Sequence, residues 1–505
     1  MKKIISSFFL IIVATTSTYA QGLFDAARNN DESIVGTARY MGMSGALGAL
    51  GADASALLDN PAALGVYKNS ETTLTINFNP TNTQTTWNGS SGTDNRFGLQ
   101  LNHAAFVWAL NTGRDQGYTT SNFSFTFNRR RHFNRGLNFH GKGFDNSIAD
   151  HIALMTNGLH YNDLRSGNAY KNENIGWLSI LGFDAGLITP IGDSTQWHSC
   201  LALGDLTDKA YASFENGGIN EFNFGYGFNI SRRFHFGLSF SLLTMTYNLQ
   251  SQYEESDQVN GNFYLRNYFV SNGQGWNVKF GFIAHPVPPV SIGLAFHTPT
   301  YYTMEDKFHA EARARANANE LRTEIGSSNY RYKAPLKLQV SLGFFIHERA
   351  VIDIDYQFSN SRKGMGLYNN QVIDFSHGFD IDNNDIRHNC LPIHLVKVGS
   401  EIMLIEKTLP LRIGVAYRSP SMKETAMRND PLNTIRTDAV YFVDRGSVFA
   451  SAGLGYRYKG FSGDLAYQLQ YKSEQFHPYK WIDNSHYADV HTLYHNIALS
   501  VSYRF

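Results

Sequence analysis

The chain has 505 residues with 43 basic against 43 acidic side chains, and only 17% of it is charged. Zero net charge removes the electrostatic case for nucleic acid. After residues 1–20 no apolar run approaches the about 20 residues that a membrane-crossing helix needs. With 36 Phe, 28 Tyr and 44 Gly, the composition suits a β-barrel instead. Barrel strands alternate lipid-facing and lumen-facing residues and average to a near-neutral hydropathy.

The chain opens with Lys2 and Lys3, an apolar run Ile4–Ala14 and a small-residue site Thr18-Tyr19-Ala20. These are the three parts of a secretory signal peptide cleaved before Gln21, which places the mature chain outside the inner membrane. Residues 36–71 then differ from everything around them. Glycines recur at Gly42, Gly45, Gly48 and Gly51, followed by Asp59-Asn60-Pro61-Ala62-Ala63-Leu64-Gly65. Asn60 suits the cap of a short helix, Pro61 its first position and Gly65 its exit. Neither GxxxxGK[ST] nor GxGxxG occurs here, so a phosphate loop is not indicated. The composition predicts a compact plug of turns and short helices, built of small residues because it fits inside something.

Fourteen segments with strand periodicity follow: 72–79, 97–110, 118–128, 219–230, 234–242, 275–284, 290–297, 336–346, 350–358, 395–404, 411–417, 448–458, 461–471 and 494–505. In the fourth, Phe222, Phe224, Tyr226 and Phe228 alternate with Asn223, Gly225 and Gly227. The connections alternate long and short throughout, as in bacterial barrels with short periplasmic turns and long extracellular loops. Lys279, Asp353, Asp355, Lys397, Glu401, Arg412, Asp464 and Arg504 fall on the polar faces of their strands. A charge in hydrocarbon costs several kcal/mol, about 2–4 at mid-bilayer, so these side chains are expected in a lumen. The fold class is therefore all-β: a transmembrane antiparallel barrel of about 14 strands with a small N-terminal helical plug. Its domains are a signal peptide (1–20), a plug or hatch (21–71) and the barrel (72–505).

The plug ending in Asn60-Pro61-Ala62, placed between a signal peptide and a barrel, resembles the hatch of the FadL/TodX family of outer-membrane transporters. The similarity continues in Gly275-Trp276-Asn277-Val278-Lys279-Phe280-Gly281 and in the strand end Ala295-Phe296-His297-Thr298-Pro299. It also covers Leu409–Pro420 and the aspartate–tyrosine strand Val351–Gln357. The resemblance implies passive uptake of hydrophobic small molecules, such as long-chain fatty acids or aromatic hydrocarbons, by hatch movement and sideways exit into the membrane. Gly42, Gly45, Gly48, Gly51, Asp59, Asn60, Pro61 and Ala62 would then be the gating residues. Its implied surroundings are a fatty acid-like ligand, outer-membrane lipid and lipopolysaccharide, with the protein as a monomer. Tyr503 and Phe505 close the chain like the address read by the barrel-assembly machinery.

Some FadL-like barrels instead hold secreted proteins at the cell surface, and Met43-Ser44-Gly45-Ala46 with Asn60-Pro61-Ala62 echoes those as well. An enzyme is not expected: GxSxG is absent, and His132, His140, His151 and His160 lack HExxH or H-x-H spacing. No cofactor or metal is indicated. Cys200 and Cys390 match no metal spacing, and a disulfide between long loops stays open.

Overall fold

The computed structural model describes residues 22–114, 116–166, 169–172, 175–192, 195–201, 205–257, 261–314, 317–347, 349–369, 379–426, 437, 441–479 and 487–505. The segment read as a signal peptide, residues 1–20, lies outside the described residues. Fourteen antiparallel strands close on themselves: β1 (Glu71–Phe78), β2 (Leu99–Asn111), β3 (Tyr118–His132), β4 (Thr207–Ile230), β5 (Phe234–Asp257), β6 (Gly261–Ala284), β7 (Val290–His297), β8 (Lys337–Ile346), β9 (Ala350–Ser359), β10 (Ile393–Ile405), β11 (Leu409–Arg418), β12 (Tyr441–Tyr458), β13 (Phe461–His477) and β14 (Ala488–Arg504). The closing ladder runs from Glu71↔Arg504 to Phe78↔Ile497. Closure leaves no edge, which a bilayer demands because nothing there can satisfy a free backbone group.

Leu74, Phe106, Trp108, Phe224, Leu294 and Val501 stand exposed on the outer face, while Asn223, Lys279, Asp353 and Arg412 are buried inside. Soluble monomers rarely expose contiguous apolar patches beyond a few hundred Å², so this band faces lipid. No described helix is long and apolar enough to cross a membrane.

The long connections are more structured than the sequence suggests. Strands β4, β5 and β6 each run 24 residues, carrying the wall well above the apolar band. Arg135–Phe144 adds to β4, Thr300–Ala314 to β6, and the hairpin Thr81–Trp87/Ser90–Arg96 to β14. In this upper wall the pattern is inverted: Tyr302, Met304 and Phe308 are buried within, and Thr303, Lys307 and Glu305 lie outward. The enclosed space is filled by an aromatic cluster that includes Trp87, Phe139, Phe269, Tyr330 and Phe476. An insert between Phe144 and Thr207 packs helices α3 (Ile148–Thr156) and Trp177–Asp184 onto it. Cys200 and Cys390 are not joined to each other.

Candidate functional site

Residues 22–70 run inside the barrel. Helix α1 (Leu23–Asn30) puts Leu23, Ala26 and Ala27 into the upper aromatic cluster. Arg28 lies 4.0 Å over the Tyr247 ring. Helix α2 (Ala38–Gly42) and the two short 3₁₀ turns Ala54–Leu58 and Pro61–Val66 form a second, lower core with Ala105, Val107, Phe449 and Ala498 of the wall.

The four spaced glycines serve two different ends. Gly45 and Gly51 have φ of +78° and +64°, where side chains with a Cβ are strained. Gly42 and Gly48 instead abut the wall: a Cβ on Gly42 would sit 3.3 Å from the Gly453 backbone, and one on Gly48 would overlap Ser341, Gln339 and Asp355.

Asn60 caps the turn Pro61–Val66 as expected, its Oδ1 accepting from the Ala62 N–H at 3.1 Å, with Pro61 at the first position. Its Nδ2 donates to the Gly48 carbonyl at 2.8 Å and to the Phe282 carbonyl of β6 at 3.3 Å. Gly65 does not mark the exit. The turn ends at Tyr67, and Gly65 is needed because a Cβ there would strike the Phe228 carbonyl and His235.

The sequence reading missed the matching cradle. Inward-facing Gly227, Gly237, Gly281, Gly293, Gly399 and Gly414 leave room for the segment's own backbone. A Cβ at Gly237 would overlap the Pro61 carbonyl, and one at Gly281 the Asn60 side chain. The signal was present as glycines on the polar faces of otherwise regular strands.

The lumenal charges seat the same segment. Lys397 Nζ donates to Asp59 Oδ2 at 2.6 Å, and the Tyr40 hydroxyl donates to the same oxygen at 2.7 Å. Lys279 pairs with Glu221 at 2.5 Å and donates to the Leu58 carbonyl at 3.1 Å. Asp353 and Asp355 accept the Ala49 and Gly48 amides at 3.1 and 3.3 Å. Glu401 takes Arg39 at 3.0 Å and Arg412 at 2.6 Å, and Arg412 reaches Asp464 at 2.6 Å. Higher up, Asp31 meets Arg131 and Lys472 at 2.9 and 2.8 Å. Glu32 meets Arg130 at 2.8 Å and also pairs with Lys337. Arg504 departs from this set, pairing with Glu71 at the rim with its side chain 45% exposed. The lumen is thus crossed by layers of buried ion pairs, a barrier for any greasy solute and a fixed seat for the segment.

The wall is irregular beside these layers, along a seam between β1, β2 and β3. On β2 the register against β1 shifts between Thr75↔His103 and Ile76↔Leu101, so Asn102 is the extra residue of a bulge. The β2–β3 ladder runs from Asn111↔Thr120 to His103↔Asn128. Among the described residues, Leu99–Asn102 and Arg129–His132 share no ladder pair. Buried polar atoms without a partner gather here: Gln100 Nε2, Asn102 Oδ1, Asn79 Oδ1 and Arg129 Nε. Leu99 and Leu101 stand exposed outside the seam. Behind it lies the inner segment, with Asn102 Nδ2 3.5 Å from Met41 Sδ and Arg131 donating to the Arg28 and Asp31 carbonyls.

Tyr503 and Phe505 lie on the outer surface at the short-turn end, where the Tyr503 ring is 4.5 Å from Phe461 and the Phe505 ring 6.3 Å from Phe106. Among the described residues no group of His, Cys, Asp and Glu is placed to hold a metal ion.

No family model and no curated protein sequence matches the chain. Solved structures do. The toluene transporter TodX of P. putida aligns over 94% of this chain and 99% of its own at a TM-score of 0.52 and 11% identity. A FadL homologue of Pseudomonas aeruginosa aligns over 97% and 100% at a TM-score of 0.55 and 11% identity. At these identities the likeness establishes the fold: a FadL-type fourteen-stranded barrel.

Proposed function

We propose that this protein is an outer-membrane channel for passive uptake of hydrophobic small molecules, with residues 22–70 as its hatch and the β2–β3 seam as its sideways exit. The observation that carries the proposal is a lipid-facing seam that lacks ladder pairs, beside a lumen crossed by charge. An apolar solute gains about 25 cal/mol per Å² of apolar area buried, and it forfeits that gain among the ion pairs of Asp31, Glu32 and Asp59. Leaving through the seam it meets Leu99, Leu101 and membrane. Capture belongs to the aromatic space above, where α1 now occupies the apolar cluster. A ligand that displaces α1 draws on Arg28, Asp31 and Glu32, the residues that stand behind the seam. Gly42, Gly45, Gly48, Gly51, Asp59, Asn60, Pro61 and Ala62 are then the gating residues of the hatch. This chemistry involves no bond-making, and the protein acts as a channel rather than an enzyme.

Native mass spectrometry of protein extracted from its own membrane in mild detergent tests the proposal. Bound masses of fatty acids or other small apolar molecules are the expected result. A stoichiometric protein partner with no small ligand would overturn uptake in favour of a secretion scaffold.

A further inference from the structure

Above the apolar band, at the base of the extracellular insert, four buried side chains form a cluster that plays no part in uptake. Lys209 on β4, Asn146 just before α3, Glu255 on β5 and Tyr479 after β13 are each no more than 6% exposed. Lys209 Nζ contacts Asn146 Oδ1 and the Tyr479 hydroxyl. The Tyr479 hydroxyl donates to that same Asn146 Oδ1 at 2.9 Å. Phe144 and Tyr479 rings flank the ammonium position at 4.5 and 4.9 Å. Glu255 stands 3.9 Å from Lys209 Nζ, held by the Ile148 amide at 2.8 Å and by the Ser147 and Tyr253 hydroxyls.

This is an unusual way to bury a lysine and a glutamate. A buried ion pair closes up when it can, as Lys279 and Glu221 do at 2.5 Å. Here the amine instead contacts a side-chain amide and a phenol, with the carboxylate 3.9 Å away.

We propose that Lys209 and Asn146 join in an intramolecular isopeptide bond, Lys209 Nζ to Asn146 Cγ. The neutral amine attacks Asn146 Cγ, forming the new N–C bond, and its proton passes to the Glu255 carboxylate. Glu255 returns that proton to the amide nitrogen Nδ2, the old C–N bond breaks, and ammonia leaves. The amine gives up one hydrogen and the amide one NH₂ group, so the balance needs no oxidant and no cofactor. The Tyr479 hydroxyl, already bonded to Oδ1, stabilises the charge that develops there, as an oxyanion donor does.

The local electrostatics favour each role. Burial lowers the Lys209 ammonium to about 8 against the pull of Glu255, which supplies neutral amine at mildly alkaline pH. Burial raises the Glu255 carboxyl above its ordinary value despite Lys209, which fits a group that accepts and returns a proton. The bond would tie the entry of the 145–206 insert to its exit, closing the insert at its base.

The test is the mass of the mature full-length protein together with peptide mapping. Expected are a chain lighter than its sequence by one ammonia and a branched peptide joining the Asn146 and Lys209 fragments. K209R and E255Q should restore the full mass and lose the branched peptide, while heat-modifiable gel migration shows that both barrels have folded. A wild-type chain at full mass without the branched peptide would overturn the proposal. So would an ammonia deficit that persists in K209R.

Discussion

Lys397→Met measures how firmly ion pairing seats the hatch. Lys397 Nζ lies 2.6 Å from Asp59 Oδ2 and 3.4 Å from Asp355 Oδ2, with 1% of its side chain exposed. At an effective dielectric constant of about 20, the shorter contact represents about 6 kcal/mol of gross attraction. Desolvation cancels part of this, and removing one member of a buried pair costs about 3–5 kcal/mol. The lower figure corresponds to an undocked population raised about 150-fold. Native-state hydrogen exchange reads that population through the amides of Ala62, Ala63 and Tyr67, which bond within the segment to Asn60 Oδ1, Asn60 O and Leu64 O. Their protection should fall by about two orders of magnitude in K397M, while the β9–β10 ladder keeps its own. Pairing it with Asp59→Asn should return part of the loss, because the nearer of the two stranded carboxylates is then neutral. Unchanged protection in K397M would refute the electrostatic seat. A double variant as labile as the single one would place the cost in packing.

Gly237→Ala puts a methyl group into the Pro61 carbonyl. Overpacking of this kind costs about 1–3 kcal/mol, so protease sensitivity of residues 54–66 should rise while the barrel assembles normally. Asn60→Ala should impair uptake without harming assembly, since it frees the Gly48 carbonyl and the turn's cap together. Deletion of Phe505 should lower the yield of folded barrel in the membrane if the terminus is read as an assembly address, leaving uptake per folded molecule unchanged. Isopeptide formation in protein refolded into detergent should quicken about tenfold per pH unit up to pH about 8 and level off above. The sign follows from the lowered Lys209 value, since only the neutral amine attacks.

The fourteen barrel strands were legible because lipid forces apolar side chains outward at every second position, as Phe222, Phe224, Tyr226 and Phe228 show. The upper wall escaped notice because that force ends with the bilayer: Tyr302, Met304 and Phe308 face inward together with Asp306, and Glu305 and Lys307 lie outward. Helix α1 is short and owes its place to the aromatic cluster around it, which no local pattern in Leu23–Asn30 announces. Asn60 and Pro61 could be read as cap and first turn because those roles are local. Gly65, Gly237 and Gly281 could not, since each is fixed by backbone that lies far away in sequence. The seam depends on one extra residue, Asn102, across which the outward positions change from Leu99 and Leu101 to Phe106 and Trp108, a phase change that a single run of alternating residues hides.

Sideways exit is tested most directly by closing the seam. In a background free of Cys200 and Cys390, Leu101→Cys and Arg129→Cys place thiols on either side of it, to be joined in intact cells by a short bridge that reductant cleaves. The account predicts that uptake of a labelled long-chain fatty acid falls to the level of cells lacking the protein once bridging is complete, and returns on reduction. Full uptake through a fully bridged seam would contradict it.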